Sequence, residues 1–253
     1  MRGTGRCPPL PSADTSPLSN WELRKICLRS VFSTRGLKNF KPPPNYDHIK
    51  LPENRKLKIV PKVPSYPHGV KAPKMMKMLH LMRNPELVHN KLIYQQFGIQ
   101  CVRGGRLKIS HFDMIRNTLS KKFDFDNLFA IWRVDAPWQA CTKRPIGFTL
   151  GGGKGSIHHY VTPVSAGRMI IELGGHAEYS EVEYVLKRVA EKLPFPARAV
   201  SHETLLAEER LEEEKKMKNM NPYTYEYIIK NNMMYCRKWI KLIDFRYFGK
   251  HPS

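Results

Sequence analysis

Residues 136–171 read APWQACTKRPIGFTLGGGKGSIHHYVTPVSAGRMII, 36 consecutive positions without one Asp or Glu. They hold Lys143, Arg144, Lys154 and Arg168, the pair His158-His159 and six glycines, centred on Leu150-Gly151-Gly152-Gly153-Lys154-Gly155. Apolar, β-prone segments flank the centre, Leu128–Val134 before it and Arg168–Leu173 after it. The pattern predicts a cationic glycine loop held between two β-strands. Glycine lets the backbone approach a partner closely, and successive exposed N–H groups can cradle an anion. With Lys and Arg supplying charge and no carboxylate to repel phosphate, the loop suits contact with a nucleic-acid backbone. The bland alternative is a solvated loop that is basic by chance.

A mononucleotide phosphate loop does not fit. Its spacing requires Gly five residues before Gly153, where the chain has Phe148, and Ser or Thr after the Lys, where it has Gly155. Histidines 158 and 159 have no Cys, Ser or acid beside them in sequence to form a relay. His111, at a helix start, reads as a capping or packing residue. Glu172 and Glu178 could be taken as a carboxylate pair, but Glu172, on a strand, is expected to pair with Arg168 or Arg198. Trp132 and Trp138 could stack on bases, although Trp132 sits in an apolar strand and reads as core. No catalytic residue, cofactor or metal is expected, and an enzyme acting on a phosphorylated substrate is the least favoured class.

The 253 residues carry a formal net charge of +21, which self-repulsion makes costly for an isolated soluble enzyme and which a polyanionic partner relieves. The charge is uneven: +4 over residues 1–35, +9 over 36–97, +6 over 98–201 and +2 over 202–253. No run of 18 apolar residues exists, so no transmembrane helix is expected. The five cysteines are scattered without paired spacing, which argues against a zinc site or a disulfide scaffold and suits a reducing compartment. Residues 1–35 have six Arg or Lys against two acids, with Ser and Thr throughout. Within them WELRKICLRSVF (21–32) is amphipathic, so the segment reads as a mitochondrial transit peptide.

From Gly36 to about residue 97 the chain is basic and Pro-rich, with Lys41-Pro-Pro-Pro44, Val60-Pro-Lys-Val-Pro64 and Ala72-Pro-Lys74. Such density forbids regular ladders and predicts an extended arm lying along another molecule, or else a linker. Order is expected from Lys91, with one or two strands between Leu92 and Val102. Ser110 reads as the cap of a helix to Phe123 with Phe112, Ile115 and Leu119 inward. Tyr160–Val164 and Arg168–Leu173 read as a hairpin turning at Ser165-Ala-Gly167. Ser180 reads as the cap of a second helix, with Val182, Val185, Leu186, Val189 and Leu193 on its inner face, and Ala197–Val200 as a last strand. The interleaving favours an α+β two-layer domain with a mixed or antiparallel sheet and two helices. Residues 201–219 read as a solvated helix and Tyr223–Trp239 as another, with Tyr227, Ile228, Met234 and Tyr235 as docking residues.

Groove reading of DNA has no recognition helix here, so the cations Arg103, Arg106, Lys108, Lys143, Arg144, Lys154 and Arg168, set among glycines, favour structured RNA. At this point LGGGKGSIHHYVTPVSAGR (150–168), AEKLP (190–194) and FAIWRVDAPWQACTK (129–143) resemble the bacterial-type large-subunit ribosomal protein L sixteen family in its mitochondrial form. The resemblance covers about residues 98–201, and NPYTYEYIIKNN (221–232) is similar to mitochondrial extensions of that family. It implies an α/β-hammerhead-like domain, large-subunit rRNA and neighbouring mitochondrial ribosomal proteins as partners, a matrix location, and a glycine loop approaching aminoacyl-tRNA and the peptidyl-transferase region. By the resemblance Lys143, Gly151, Gly153, Lys154, Gly155 and Arg168 would face rRNA, and Arg103, Arg106, Lys108, Arg144, Gly152 and His159 are expected to join them. Thr149-Leu150 stand where the family has Arg-Met, His158 where mitochondrial members have Asp, and Ser165 where they often have Lys. A hydroxylated Arg, as in bacterial members, therefore cannot occur at 149. These departures leave open a divergent RNA-binding assembly or translation factor on the same fold.

Overall fold

The computed structural model describes residues 45–250 apart from Phe148 and Leu150; the expected leader, 1–35, lies outside them. A one-turn helix, α1 (His80–Arg83), precedes β1 (Phe97–Cys101) and β2 (Gly105–Lys108). Then come α2 (Ile109–Lys122), β3 (Leu128–Trp132), β4 (Gln139–Thr142), β5 (Ile157–Val164), β6 (Met169–Gly175), α3 (Tyr179–Glu191) and β7 (Ala197–Ser201). The chain ends in α4 (His202–Lys218), α5 (Tyr225–Lys230), a 3₁₀ segment (Met233–Lys238) and α6 (Leu242–Tyr247). Content and order are those of an α+β domain.

The strands make two antiparallel sheets, ordered β3-β6-β1-β7 and β2-β5-β4. This corrects the expected β5–β6 hairpin. The turn at Ser165–Gly167 carries the chain from the three-stranded sheet to the four-stranded one, and β5 pairs with β2 and β4 instead. The turn is fixed from outside, because Gly167 N–H donates to Cys101 O (2.7 Å) and Cys101 N–H to Arg168 O (2.9 Å). Cys101 is buried, and burial pushes its thiol up to about 12, leaving it a packing group.

Helix α2 buries Phe112, Ile115 and Leu119, and α3 buries Val182, Val185, Leu186, Val189 and Ala190, as their spacing requires. Together with Ile99, Leu107, Ile171 and Leu173 they form the main core. Each fully buried side chain of this kind stabilises the fold by roughly 1.5–3 kcal/mol. The starts of both helices lie earlier than expected. In α2 the N-cap is Lys108, whose N–H donates to His111 Nδ1 (3.0 Å), so His111 caps. Burial first, and Lys108 second, lower the pKa of His111, which keeps that nitrogen an acceptor. In α3 the N-cap is Glu178, whose N–H donates to Glu181 (3.3 Å).

Glu172 is completely buried in the middle of β6. Neither Arg168 nor Arg198 reaches it; it accepts from the N–H of Tyr94 and pairs with Arg133 at 3.5 Å. Burial nonetheless raises its pKa above the ordinary carboxylate value. Arg198 pairs instead with Glu208 of α4 (2.5 Å) and Gln100 (2.8 Å).

The Pro-rich arm, where described, runs along its own domain. Leu57 enters the core, Ala130 N–H donates to Arg55 O (2.9 Å), and Trp132 Nε1 to Lys58 O (2.9 Å). Pro85 bridges Ala166, and Met169 N–H donates to His89 O (2.9 Å). Trp132 is half-buried against Phe112, with ring centroids 5.0 Å apart. Towards the C-terminus, α4 buries nothing fully. The expected long helix 223–239 is broken after Lys230, and it buries Ile229 and Cys236 while Tyr227, Met234 and Tyr235 stay exposed. Among the described residues no helix is long and apolar enough to cross a membrane.

Candidate nucleic-acid interface

The glycine-rich segment is the tip of a β-hairpin, but of strands β4 and β5. Gln139 pairs with Val161, Ala140 with Tyr160 and Cys141 with His159, and a register shift precedes Thr142–Ile157. At the base of the tip, Lys143 N–H donates to Ser156 O (3.3 Å). Residues 143–147, 149, 151–154 and 156 are exposed. Gly151 (φ +96°) and Gly153 (φ +76°) adopt backbone that L-residues rarely adopt, and nothing lies within 4 Å of where a Cβ would sit on either. Main chain is thus presented to the outside with free space around it, the condition an incoming phosphate needs.

The loop's cations are partly tied down. Arg144 Nη2 donates to Gly153 O (2.6 Å), holding one side of the tip to the other. Lys154 Nζ donates to Met75 O, tying the tip to the arm. Lys143 and Lys108 are exposed and make no ion pair with any described residue.

Strand alternation places Leu107, Thr162 and Val164 of the three-stranded sheet towards the domain interior and Arg106, Lys108, His159 and Gln139 on the outer face. The arm crosses that face at Met75–Lys77. Arg106 Nη2 donates to Lys77 O (3.0 Å), and Gln139 Nε2 donates to Met76 O (2.8 Å) and Lys77 O (2.9 Å). His159 Nδ1 lies 2.9 Å from His158 Nδ1. Burial, then Lys108 and His158, lower its pKa, so His159 is an uncharged member of a cationic face at neutral pH.

The structure therefore brings Lys143, Arg144, Gly151, Gly152, Gly153, Lys154 and Gly155 together at one tip, with Arg106, Lys108 and His159 on the sheet below it. Two expected residues stand apart. Arg103 is exposed in the turn between β1 and β2. Arg168, at the sheet-to-sheet turn, is half-buried between Glu86 (3.8 Å) and Asp135 (3.7 Å) and donates to Arg133 O (3.4 Å), so its charge is spent inside the domain. Gln139 went unnoticed in the sequence, because a lone glutamine in a four-residue strand carries no signal until the arm is seen above it. Among the described residues no three His, Cys, Asp or Glu side chains are grouped to hold a metal ion.

Residues 67–200 match the model of the ribosomal protein L16p/L10e family, more than half of the chain. The chain belongs to this family. It is a structural family of the large ribosomal subunit and not a family of enzymes, and membership brings rRNA and ribosomal proteins as partners. The match begins at residue 67, well before the 98 at which the sequence resemblance was drawn. The contacts at Met75–Lys77, Pro85 and His89 accord with this: this part of the arm is packed against both sheets.

Proposed function

We propose that the protein is a constituent of the large ribosomal subunit of mitochondria. It binds rRNA through the tip of the β4–β5 hairpin and helps shape the aminoacyl-tRNA and peptidyl-transferase region. The observation that carries this reading is the exposed, carboxylate-free tip, with open space over Gly151 and Gly153 and a cationic sheet face below. Lys143, Arg144, Lys154 and the glycines 151, 152, 153 and 155 are the contacts at the tip, and Arg106, Lys108, His159 and Arg103 flank them. Arg168 acts by holding the turn that orients β5. The mitochondrial assignment rests on the composition of residues 1–35, and the domain limits on the composition shifts near 36, 98 and 202.

The test is sedimentation of tagged protein from mitochondrial extract. The protein should travel with large subunits and translating ribosomes and leave those fractions after RNase. Recovery on precursor particles alone would favour an assembly factor, and recovery only in free fractions would end the proposal.

A further inference from the structure

Helices α2 and α3 pack on the core side by side and leave a cleft of about 280 Å³ between their C-terminal halves. Its lining includes four cations, Lys121 and Lys122 from α2 and Arg188 and Lys192 from α3 or just beyond it, together with Asn117 and Tyr184. No carboxylate lines it. Spacing puts them there: 117 and 121 on one helix, and 184, 188 and 192 on the other, are four residues apart and stack on one side. All four cations are exposed, and none makes an ion pair with a described residue.

Their freedom contrasts with neighbouring cations. One position before Arg188, Lys187 is neutralised by Glu183 at 2.9 Å, four residues back. Arg188 finds Tyr184 at the equivalent position, with its guanidinium 5.4 Å from the ring centroid. An ordinary solvated helix face would be served by the first arrangement; the second keeps the charge available.

Basic residues near a helix C-terminus complement its dipole, so the bland account needs to be weighed. Each helix end carries roughly half a negative charge, about one for the pair. Four cations exceed that about fourfold, and the surplus faces outward.

We infer that the α2–α3 cleft is a second RNA-backbone site, separate from the hairpin tip, which seats the phosphates of a structured RNA between Lys121, Lys122, Arg188 and Lys192. Asn117 and Tyr184 also line the cleft, and their polar groups would serve as hydrogen-bond partners of ribose 2′-hydroxyls, as recognition of A-form helices by backbone and shape requires. Charge complementarity selects the occupant: a surface of four unpaired cations, with no carboxylate in its lining, repels a basic protein segment and attracts a polyanion. Two such sites on different elements would let one small protein clamp two RNA segments.

The experiment uses the full chain and a mixed-sequence A-form RNA duplex, with binding followed by fluorescence anisotropy through a KCl series. Lys121→Gln combined with Arg188→Gln should lower the log–log salt slope by roughly two units, about 0.9 for each phosphate left without its cation. Both side chains are exposed, so cooperative thermal unfolding should be kept; if it is lost, Lys122→Gln with Lys192→Gln carries the same expectation. Lys154→Ala, measured alongside, separates this site from the hairpin. A slope that falls only for Lys154→Ala overturns the cleft and leaves the tip standing, while a slope that falls only for the helix variants does the reverse. An unchanged slope in the helix variants, together with loss of an acidic protein from sedimented particles, would make the cleft a protein site and also overturn the inference.

Discussion

The glycines of the packed base and those of the hairpin tip are the same residue used for opposite ends. At Gly104 a Cβ would lie 1.8 Å from Met82 O, at Gly105 2.2 Å from Phe195 Cδ1, and at Gly175 2.3 Å from Asn127 O. At Gly151 and Gly153 it would meet nothing within 4 Å. Within the domain, glycine is demanded by backbone and rings pressing on it; at the tip the space is empty and only the backbone conformation asks for it. An unfilled, positively charged projection on a tightly packed base is what a protein needs if another molecule is to complete the packing. The two settings also separate the consequences of substitution, because a change in the base should act on folding and a change at the tip on RNA.

The largest effect is expected where the base is tightest. Gly104→Ala drives a methyl into a carbonyl oxygen that has little freedom to move. Overpacking of this kind costs about 3 kcal/mol or more, read as a drop in the midpoint of thermal or urea unfolding. Unchanged stability would show that the arm at Met82 is free to yield and would weaken the contrast between base and tip.

Glu172 probes the same base electrostatically. Glu172→Ala leaves the Tyr94 N–H and the Arg133 guanidinium without their buried partner and should cost about 3 kcal/mol. The pH dependence has a definite sign. Burial raises the folded-state pKa of Glu172 above its unfolded value. Its favourable contribution is therefore complete below the ordinary carboxylate value and is lost as pH rises through the raised one. The stability of the wild type relative to Glu172→Gln should thus fall as pH rises above the ordinary carboxylate range. A difference that rises with pH there would mean that the Arg133 pair outweighs burial.

At the tip the expected changes are smaller. Gly153→Ala meets no atom but must hold a left-handed backbone, worth about 1–2 kcal/mol where the loop is fixed. Because the surrounding space is open, the loop can relax, so the unfolding midpoint should shift little while affinity for RNA falls. A large midpoint shift with intact RNA binding would invert the contrast.

Much of the base was legible in the sequence because its signals are local. The inner faces of α2 and α3 follow from apolar residues at helical spacing, and the solvated character of α4 from a charge-dense run in which Leu205, Leu206 and Leu211 are the main apolar content. What could not be read is long-range. Nothing in Tyr160–Val164 tells whether it pairs with the strand after Ser165–Gly167 or with Gly105–Lys108, since both registers bury Val164. Strand β4 is four residues long and begins two residues after Pro137, so it gave too short a pattern to register. The arm was legible as extended but not as intramolecular: proline content says that its carbonyls are unladdered, and only the fold shows them accepting from Arg106, Gln139 and Lys154. The tip was found because its signal is compositional, a gap in acids combined with glycine. Arg168 passed the same filter yet sits between two acids distant in sequence, Glu86 and Asp135.

Lys154 gives the finest test, because the structure offers it two roles. As a phosphate contact its charge matters; as a donor to Met75 O it holds the tip to the arm, and charge is incidental. Lys154→Ala removes both and should lower the salt slope of RNA binding by roughly one unit. Lys154→Gln keeps a donor, on a shorter chain, and loses the charge. If the lysine touches phosphate, Gln should lower the slope as far as Ala does, because counterion release follows charge and not hydrogen bonding. If the tether is what counts, Gln should restore affinity at all salt concentrations in parallel with the wild type, with the slope unchanged. The tip would then owe its RNA contact to its glycines and to Lys143, and the arm would be the element that sets how far the hairpin reaches.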